Sequence, residues 1–292
     1  MKKMLSASVL LFFSVNAFSY FDGGLNFTTG SNNYSGTSVY AIVGSGNFWL
    51  EPSLNIYESD YTLTTFRNYE IKAGMDSGVY AACAAVGMVP EKDEYKNVYV
   101  KGDITFTLTS GGHRKGRLAG PQMFRGSSKG DGLTRIDVGA GFKYIKHEDN
   151  YNILRQKLSS PCEIKQTDIS LFAGIKFFSL VLSGDYTASS YDKTLNMSIR
   201  PFQYIELPGV ITRVQAYPKS SLNLTATLPG LPFVSPYASY GKTKFELSSS
   251  ELKTYTFGAF VDFAMLKVNA AYQIQDLTDT DNYVTLGASI AF

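Results

Sequence analysis

The residue types that carry most enzymatic and metal chemistry are scarce in this chain. It has two histidines, His113 and His147, and two cysteines, Cys83 and Cys162. Two cysteines cannot build a disulfide framework. After the first nineteen residues no uninterrupted apolar run is long enough to be read as a transmembrane helix. Neither sign of charge is in excess: 27 Lys and Arg against 25 Asp and Glu give +2, so nothing global calls for a nucleic-acid partner. No cofactor or metal is expected. Asp276, Asp279 and Asp281 cluster in one short stretch, but the glycine and bidentate glutamate of a calcium loop are missing, and a solvated hairpin tip explains them better.

What the chain does have is aromatic residues and alternation. Twenty Tyr and twenty Phe suit strands. Segment after segment places apolar side chains at every second position, so that one face of an extended strand is apolar and the other polar. The clearest is Tyr95–Leu108, with Val98, Val100, Ile104, Phe106 and Leu108 against Asn97, Tyr99, Lys101, Asp103, Thr105 and Thr107. Leu133–His147 repeats it. The pattern predicts strands at Tyr20–Thr28, Thr37–Val43, Phe48–Tyr57, Thr65–Gly74, Val79–Met88, Tyr95–Leu108, Leu133–His147, Lys165–Phe177, Ser179–Thr187, Ser221–Leu228, Phe233–Gly241, Leu252–Phe263 and Leu266–Gln275. Pro52 falls inside the third of these and predicts a bulge, because proline has no N–H for the ladder. Ala188–Lys219 shows no clean alternation and is read, like Lys146–Glu163, as a long loop.

The chain closes with Asn282–Phe292, in which Val284, Leu286, Ala288, Ile290 and Phe292 share one fully apolar face. At the other end, Lys2 and Lys3 precede an apolar stretch, Leu5 to Val15, and a small-x-small site, Ala17-Phe18-Ser19. This is expected to be a signal peptide, residues 1–19, cleaved after Ser19. Residues 20–292 then form one domain.

With these features the sequence resembles the Gram-negative outer-membrane β-barrel proteins, whose last strand commonly ends in Phe with apolar residues at alternate positions before it. A soluble sandwich with a buried last strand is the competing reading. The resemblance implies an all-β transmembrane antiparallel up-and-down barrel of about 14 strands, with 12 or 16 open as alternatives. It also implies a bacterial outer-membrane location, contact with outer-membrane lipids, and engagement of the barrel-assembly machinery through the last strand. Such barrels alternate short periplasmic turns with longer outside loops and keep a polar interior.

The expected lumen lining mixes signs: Lys101, Asp103, Arg135, Asp137, Lys143, Asp168, Lys176, Asp185, Asp262 and Lys267. The expected function is a channel or transporter that passes a small polar solute. The alternative is a structural or surface-binding protein that acts through its outside loops. No enzyme is expected. Barrel lipases and deacylases pair a His with a Ser two residues on, whereas His147 is followed by Glu148 and Asp149, and His113 by Arg114 and Lys115. His147 with Asp149 echoes one side of the outer-membrane protease site, but solvated loop residues explain the pair better.

One segment breaks the rule of short periplasmic turns. Ser110–Gly132 falls on that side with 23 residues, and it carries Arg114, Lys115, Arg117, Arg125 and Lys129 against Asp131 alone. A strand miscount, a disordered turn, a segment docked on anionic lipid headgroups, and a segment folded into the lumen as a constriction all remain open. For a constriction the basic side chains need lumen carboxylates or water, because unpaired charge is expensive in a dry interior.

Overall fold

The computed structural model describes residues 20–292 other than 61, 93–94, 110–116, 120–133, 152–156, 196–202, 208–209, 215–216, 230 and 232. The signal peptide expected at residues 1–19 lies outside the described residues.

Sixteen strands occur among them: β1 (Tyr20–Gly30), β2 (Tyr34–Ser45), β3 (Phe48–Ser59), β4 (Thr62–Asp76), β5 (Tyr80–Lys92), β6 (Tyr95–Thr109), β7 (Thr134–Tyr151), β8 (Lys157–Phe177), β9 (Leu180–Tyr191), β10 (Gln203–Leu207), β11 (Val210–Val214), β12 (Pro218–Thr227), β13 (Val234–Phe245), β14 (Glu251–Phe263), β15 (Leu266–Asp276) and β16 (Thr280–Ala291). Fourteen close into one antiparallel barrel, and β10 with β11 forms a separate hairpin between β9 and β12. Closure runs through β1 and β16, from Asp22 opposite Ala291 to Gly30 opposite Tyr283. The phenyl rings of Phe21 and Phe292 stack at 5.1 Å, and their backbones exchange hydrogen bonds of 2.8 and 2.9 Å. A closed sheet leaves no edge with unpaired backbone groups, which is the condition for strands to cross hydrocarbon.

The alternation sets the two faces. Leu108, Phe106, Ile104, Val100 and Val98 of β6 are exposed on the outside, while Thr107, Thr105, Tyr99 and Asn97 are buried inside. Toward the far end the apolar outer band gives way to charge. On β7 it runs Ile136, Val138, Ala140, Phe142, Tyr144 and then turns charged at Lys146 and Glu148. At the end where the termini meet, the band is fringed by exposed Phe48, Phe177, Phe178, Phe233, Phe263 and Phe292. At the far end, exposed Tyr69, Tyr186, Tyr255 and Tyr272 take that place. Aromatic girdles of this kind mark the two interfaces of a membrane barrel.

Turns at the terminal end are short, apart from the 110–133 connection between β6 and β7. Phe178 and Ala264 hold them at φ of 51° and 53°, a left-handed conformation that side chains other than Gly and Asn seldom take. Phe178 packs edge-on against Phe177 at 4.6 Å.

Three expectations are corrected. Pro52 causes no bulge: Tyr40 faces Ser53 and Val43 faces Leu50 at one constant offset, and Pro52 still faces Ile71 of β4. The missing N–H removes ladder contacts toward β2 only, without shifting register. The register shifts fall instead at the far ends of strands, between Tyr57 and Ser59, Val89 and Lys92, Asp149 and Tyr151, and Pro218 and Ser220. Lys146–Glu163 is not a loop either. β7 and β8 continue as a paired hairpin, with Lys146 opposite Lys165 and Asp149 opposite Cys162. Charged residues on the outer face concealed a strand that simply leaves the apolar band. Ala188–Lys219, finally, contains the end of β9, the β10–β11 hairpin and the start of β12. β11 approaches β16, four positions around the wall from β12.

Candidate functional site

The inward face is divided into two walls. From β3 to β9 it is charged. Lys72 of β4 bonds Glu51 of β3 at 3.3 Å and Glu70 at 2.9 Å, and Lys101 of β6 reaches the other oxygen of Glu70 at 2.7 Å. The Tyr99 hydroxyl donates to Glu70 at 2.8 Å, and Asn68 donates to Tyr99 at 3.1 Å. Lys143 lies opposite Lys101, with its ammonium 4.7 Å from the centre of the Tyr99 ring. That cation–π contact offsets the like-charge pairing. Such a network adds little net stability, but removing one partner from it costs about 3–5 kcal/mol because a buried charge is orphaned. From β12 to β16 and on to β1 the middle of the wall is uncharged, built from hydroxyl and amide groups. Thr28 and Thr285 bond at 2.7 Å, and Ser221 and Thr243 at 3.0 Å.

Chain from outside the barrel wall enters the charged half. Arg117, Leu118 and Ala119 are buried. Arg117 forms an ion pair with Asp103 of β6. The Leu118 N–H donates to Asp137 Oδ2 at 2.9 Å. Asp137 also receives Arg135 Nε at 2.8 Å, Arg135 Nη2 at 2.7 Å and the Thr107 hydroxyl at 2.5 Å. Four donors fill the lone pairs of one carboxylate. The approach depends on Gly174 of β8: a Cβ there would lie 2.8 Å from Leu118 Cβ and 2.9 Å from its carbonyl carbon. Cys83, buried on β5, lies directly opposite Asp103.

Each predicted lining residue falls on an inward-facing position. Arg135 and Asp137 are fully buried, and Lys176, also buried, lies opposite Arg135. Asp168 lies opposite Lys143 and accepts from Gln166 at 2.7 Å. Asp185 accepts from Asn223 at 3.0 Å. Asp262 lies opposite Lys267 at the terminal end, where Lys267 is 4.0 Å from Asp22. Of the five basic residues named for a constriction, Arg117 is the one placed; Arg114, Lys115, Arg125 and Lys129 lie outside the described residues. On the closing strand, Val284, Leu286, Ala288, Ile290 and Phe292 face outward. Glu70 and Lys72, at the centre of the charged network, were missed from sequence. The signal was the Asn68-x-Glu70-x-Lys72 alternation, masked by an inward Phe66.

His147 requires a further correction, since it is not a solvated loop residue. It is buried, with the Tyr95 hydroxyl 2.8 Å from Nδ1 and Gln166 Oε1 3.2 Å from Nε2. Asp168 can only accept, so it fixes the Gln166 amide with Nε2 toward Asp168 and Oε1 toward the imidazole. His147 Nε2 therefore carries the proton, and Nδ1 accepts from Tyr95. Burial is the main cause holding its pKa down to about 4, with nearby Lys143 adding to the effect, while the Gln166 hydrogen bond opposes it. His147 sits beyond Tyr144, past the apolar band. His113 lies outside the described residues. Cys83 and Cys162 are not joined in a disulfide. Among the described residues no cluster of three metal-ligating side chains occurs. Asp281 instead accepts from Asn32 at 2.9 Å.

By sequence, no family model and no curated protein matches the chain. By structure, it is similar to CdiB from Acinetobacter baumannii at a TM-score of 0.50 and 10% identity, covering 94% of this chain and 60% of that one. The chain thus spans about three fifths of CdiB. OmpT of Vibrio cholerae gives a TM-score of 0.49 at 10% identity, over 93% of this chain and 97% of that one. Omp33 of Acinetobacter baumannii gives 0.49 at 9% identity, over the same shares. At these identities the likeness speaks to architecture alone: the chain has the closed 14-stranded antiparallel barrel fold of the outer-membrane β-barrel proteins.

Proposed function

We propose that this protein is a channel of the bacterial outer membrane that passes small polar solutes, with a lumen narrowed by the segment around Arg117. The observation that carries this reading is the pairing of Arg117 with Asp103 and of Leu118 with Asp137. Chain held inside the lumen by two wall carboxylates is a constriction, and water can solvate those carboxylates when it departs. The termini and the 110–133 connection then face the periplasm, the signal peptide directs export, and β16 is the strand presented to the assembly machinery. Single-channel conductance of the purified chain tests the proposal. Deletion of Gly111–Gly130 is expected to raise conductance and shift selectivity toward cations, because five basic side chains leave and the lumen acids stay.

A second reading, a structural or surface-binding barrel, is favoured by the tight inner packing. Glu51, Thr256, Gln273 and Thr285 have no exposed surface at all. Absence of conductance from both the full chain and the deletion decides for it.

A further inference from the structure

Above the tyrosine fringe the outer wall becomes basic, and on one pair of strands the charge is not neutralised. Outward-facing residues of β13 run Val234, Pro236, Ala238, Tyr240, Lys242 and Lys244; those of β14 run Phe263, Val261, Ala259, Phe257, Tyr255, Lys253 and Glu251. The Tyr240 and Tyr255 rings lie 5.4 Å apart. One step beyond them, Lys242 and Lys253 stand directly opposite each other, a like-charge pairing that works against the sheet. Glu251 is committed to Lys242 at 2.7 Å and to Lys244 at 3.7 Å. Asp276 stands opposite Lys253 on the other side, yet no ion pair joins them among the described residues. Three lysines therefore share one engaged carboxylate.

A comparison within the barrel shows what neutralisation looks like. Lys146 and Lys165 are also opposite one another. There, however, Lys146 binds both Glu148 at 3.2 Å and Glu163 at 2.8 Å, and Lys96 binds Glu148 at 2.8 Å. The β6–β8 cluster is closed on itself, and the β13–β14 cluster is open.

Interfacial tyrosines mark headgroup depth. Lysines immediately above them on a lipid-facing wall meet whatever anion the headgroups carry, and an anion between Lys242 and Lys253 removes their repulsion. We propose that Lys242, Lys244 and Lys253 form a binding site for the phosphate of an outer-leaflet lipid headgroup. This rests on the outer-membrane placement given above.

The test uses the full chain purified in neutral detergent, with native mass spectrometry during titration with diphosphorylated lipid A, phosphatidylcholine and inorganic phosphate. Heat-modifiable migration verifies that each variant is a closed barrel. Lipid A is expected to be retained by the wild type and by Lys242→Arg/Lys253→Arg. In Lys242→Gln/Lys253→Gln its binding should weaken about thirtyfold, roughly fivefold for each lysine near an anionic surface. Lys96→Gln, at the closed cluster, should leave it unchanged. Equal retention by the double Gln variant, equal weakening by Lys96→Gln, or equal retention of phosphatidylcholine overturns the site. Inorganic phosphate that binds as tightly as lipid A overturns the lipid assignment. Fractionation of the wild-type chain away from outer membranes overturns the placement itself. Lipid binding that fails in a chain that does fractionate there overturns the site alone.

Discussion

Arg117, on the connection that leaves β6, turns back into the barrel and pairs with Asp103 of that same strand. Beside this pair lies Cys83, so the protein carries its own reporter of whether the segment is docked. In a Cys162→Ser background, a water-soluble thiol reagent should label Cys83 slowly. Arg117→Gln is expected to speed labelling and raise conductance together, because it leaves Asp103 buried without its counter-ion. If labelling stays slow while Asp103 has lost its partner, the segment is held by something other than this pair.

The two faces of β6 give a second prediction. Ile104 faces the apolar band, so Ile104→Arg should cost about 2–4 kcal/mol if the position lies near mid-bilayer. Thr105 faces inward and is buried, with its hydroxyl unpartnered among the described residues. Packing at that depth leaves no room for a long side chain, whereas Thr105→Val is expected to fall within about 1 kcal/mol of the native chain, since removing an unsatisfied hydroxyl is nearly neutral. Denaturant unfolding of both variants in detergent is the measurement, and a reversed order refutes the register.

His147 predicts acid sensitivity. Its pKa is lowered in the folded chain to about 4 from 6.5. At pH above 6.5 the imidazole is neutral in both states and contributes no slope. Between 6.5 and 4 the unfolded chain takes up a proton that the folded chain refuses, so stability falls with pH, by on the order of 3 kcal/mol in total. A proton on Nδ1 would face the Tyr95 oxygen, which already accepts from Asn97 at 3.0 Å. Unfolding midpoints measured across this window should slope in the native chain and flatten in His147→Gln. Parallel curves would assign the slope to other groups.

Closure supplies the fourth. Deleting Phe292 removes two backbone hydrogen bonds to Phe21 and a stacked ring pair, the latter worth about 0.5–1.5 kcal/mol beyond burial. Yield of heat-modifiable barrel should drop far more than yield of total protein. Equal membrane yield of the truncated chain would remove β16 closure as a determinant of assembly.

Much of this was legible in the residues alone. A period of two with one face apolar is a local property, and on β6, β7 and β16 it determined strand, face and membrane exposure together, because every outward residue meets the same solvent. It failed where the outer environment changes. Lys146, Glu148, Glu163 and Lys165 leave the apolar band while the strands continue, so charge was mistaken for loop. Phe66 and Tyr95 point inward against the pattern, because the interior of the far end is itself packed with rings. Only the tertiary structure decided which carboxylate meets which cation. Asp103, Asp137, Gly174 and the Arg117–Leu118 stretch lie on four separate parts of the chain, and nothing in their spacing states that Arg117 meets Asp103 and Leu118 meets Asp137 while Leu118 packs where the side chain of Gly174 is missing. The burial of His147 was likewise decided across strands, by Tyr95, Gln166 and Asp168, whose hydrogen bonds choose its tautomer and exclude its charge.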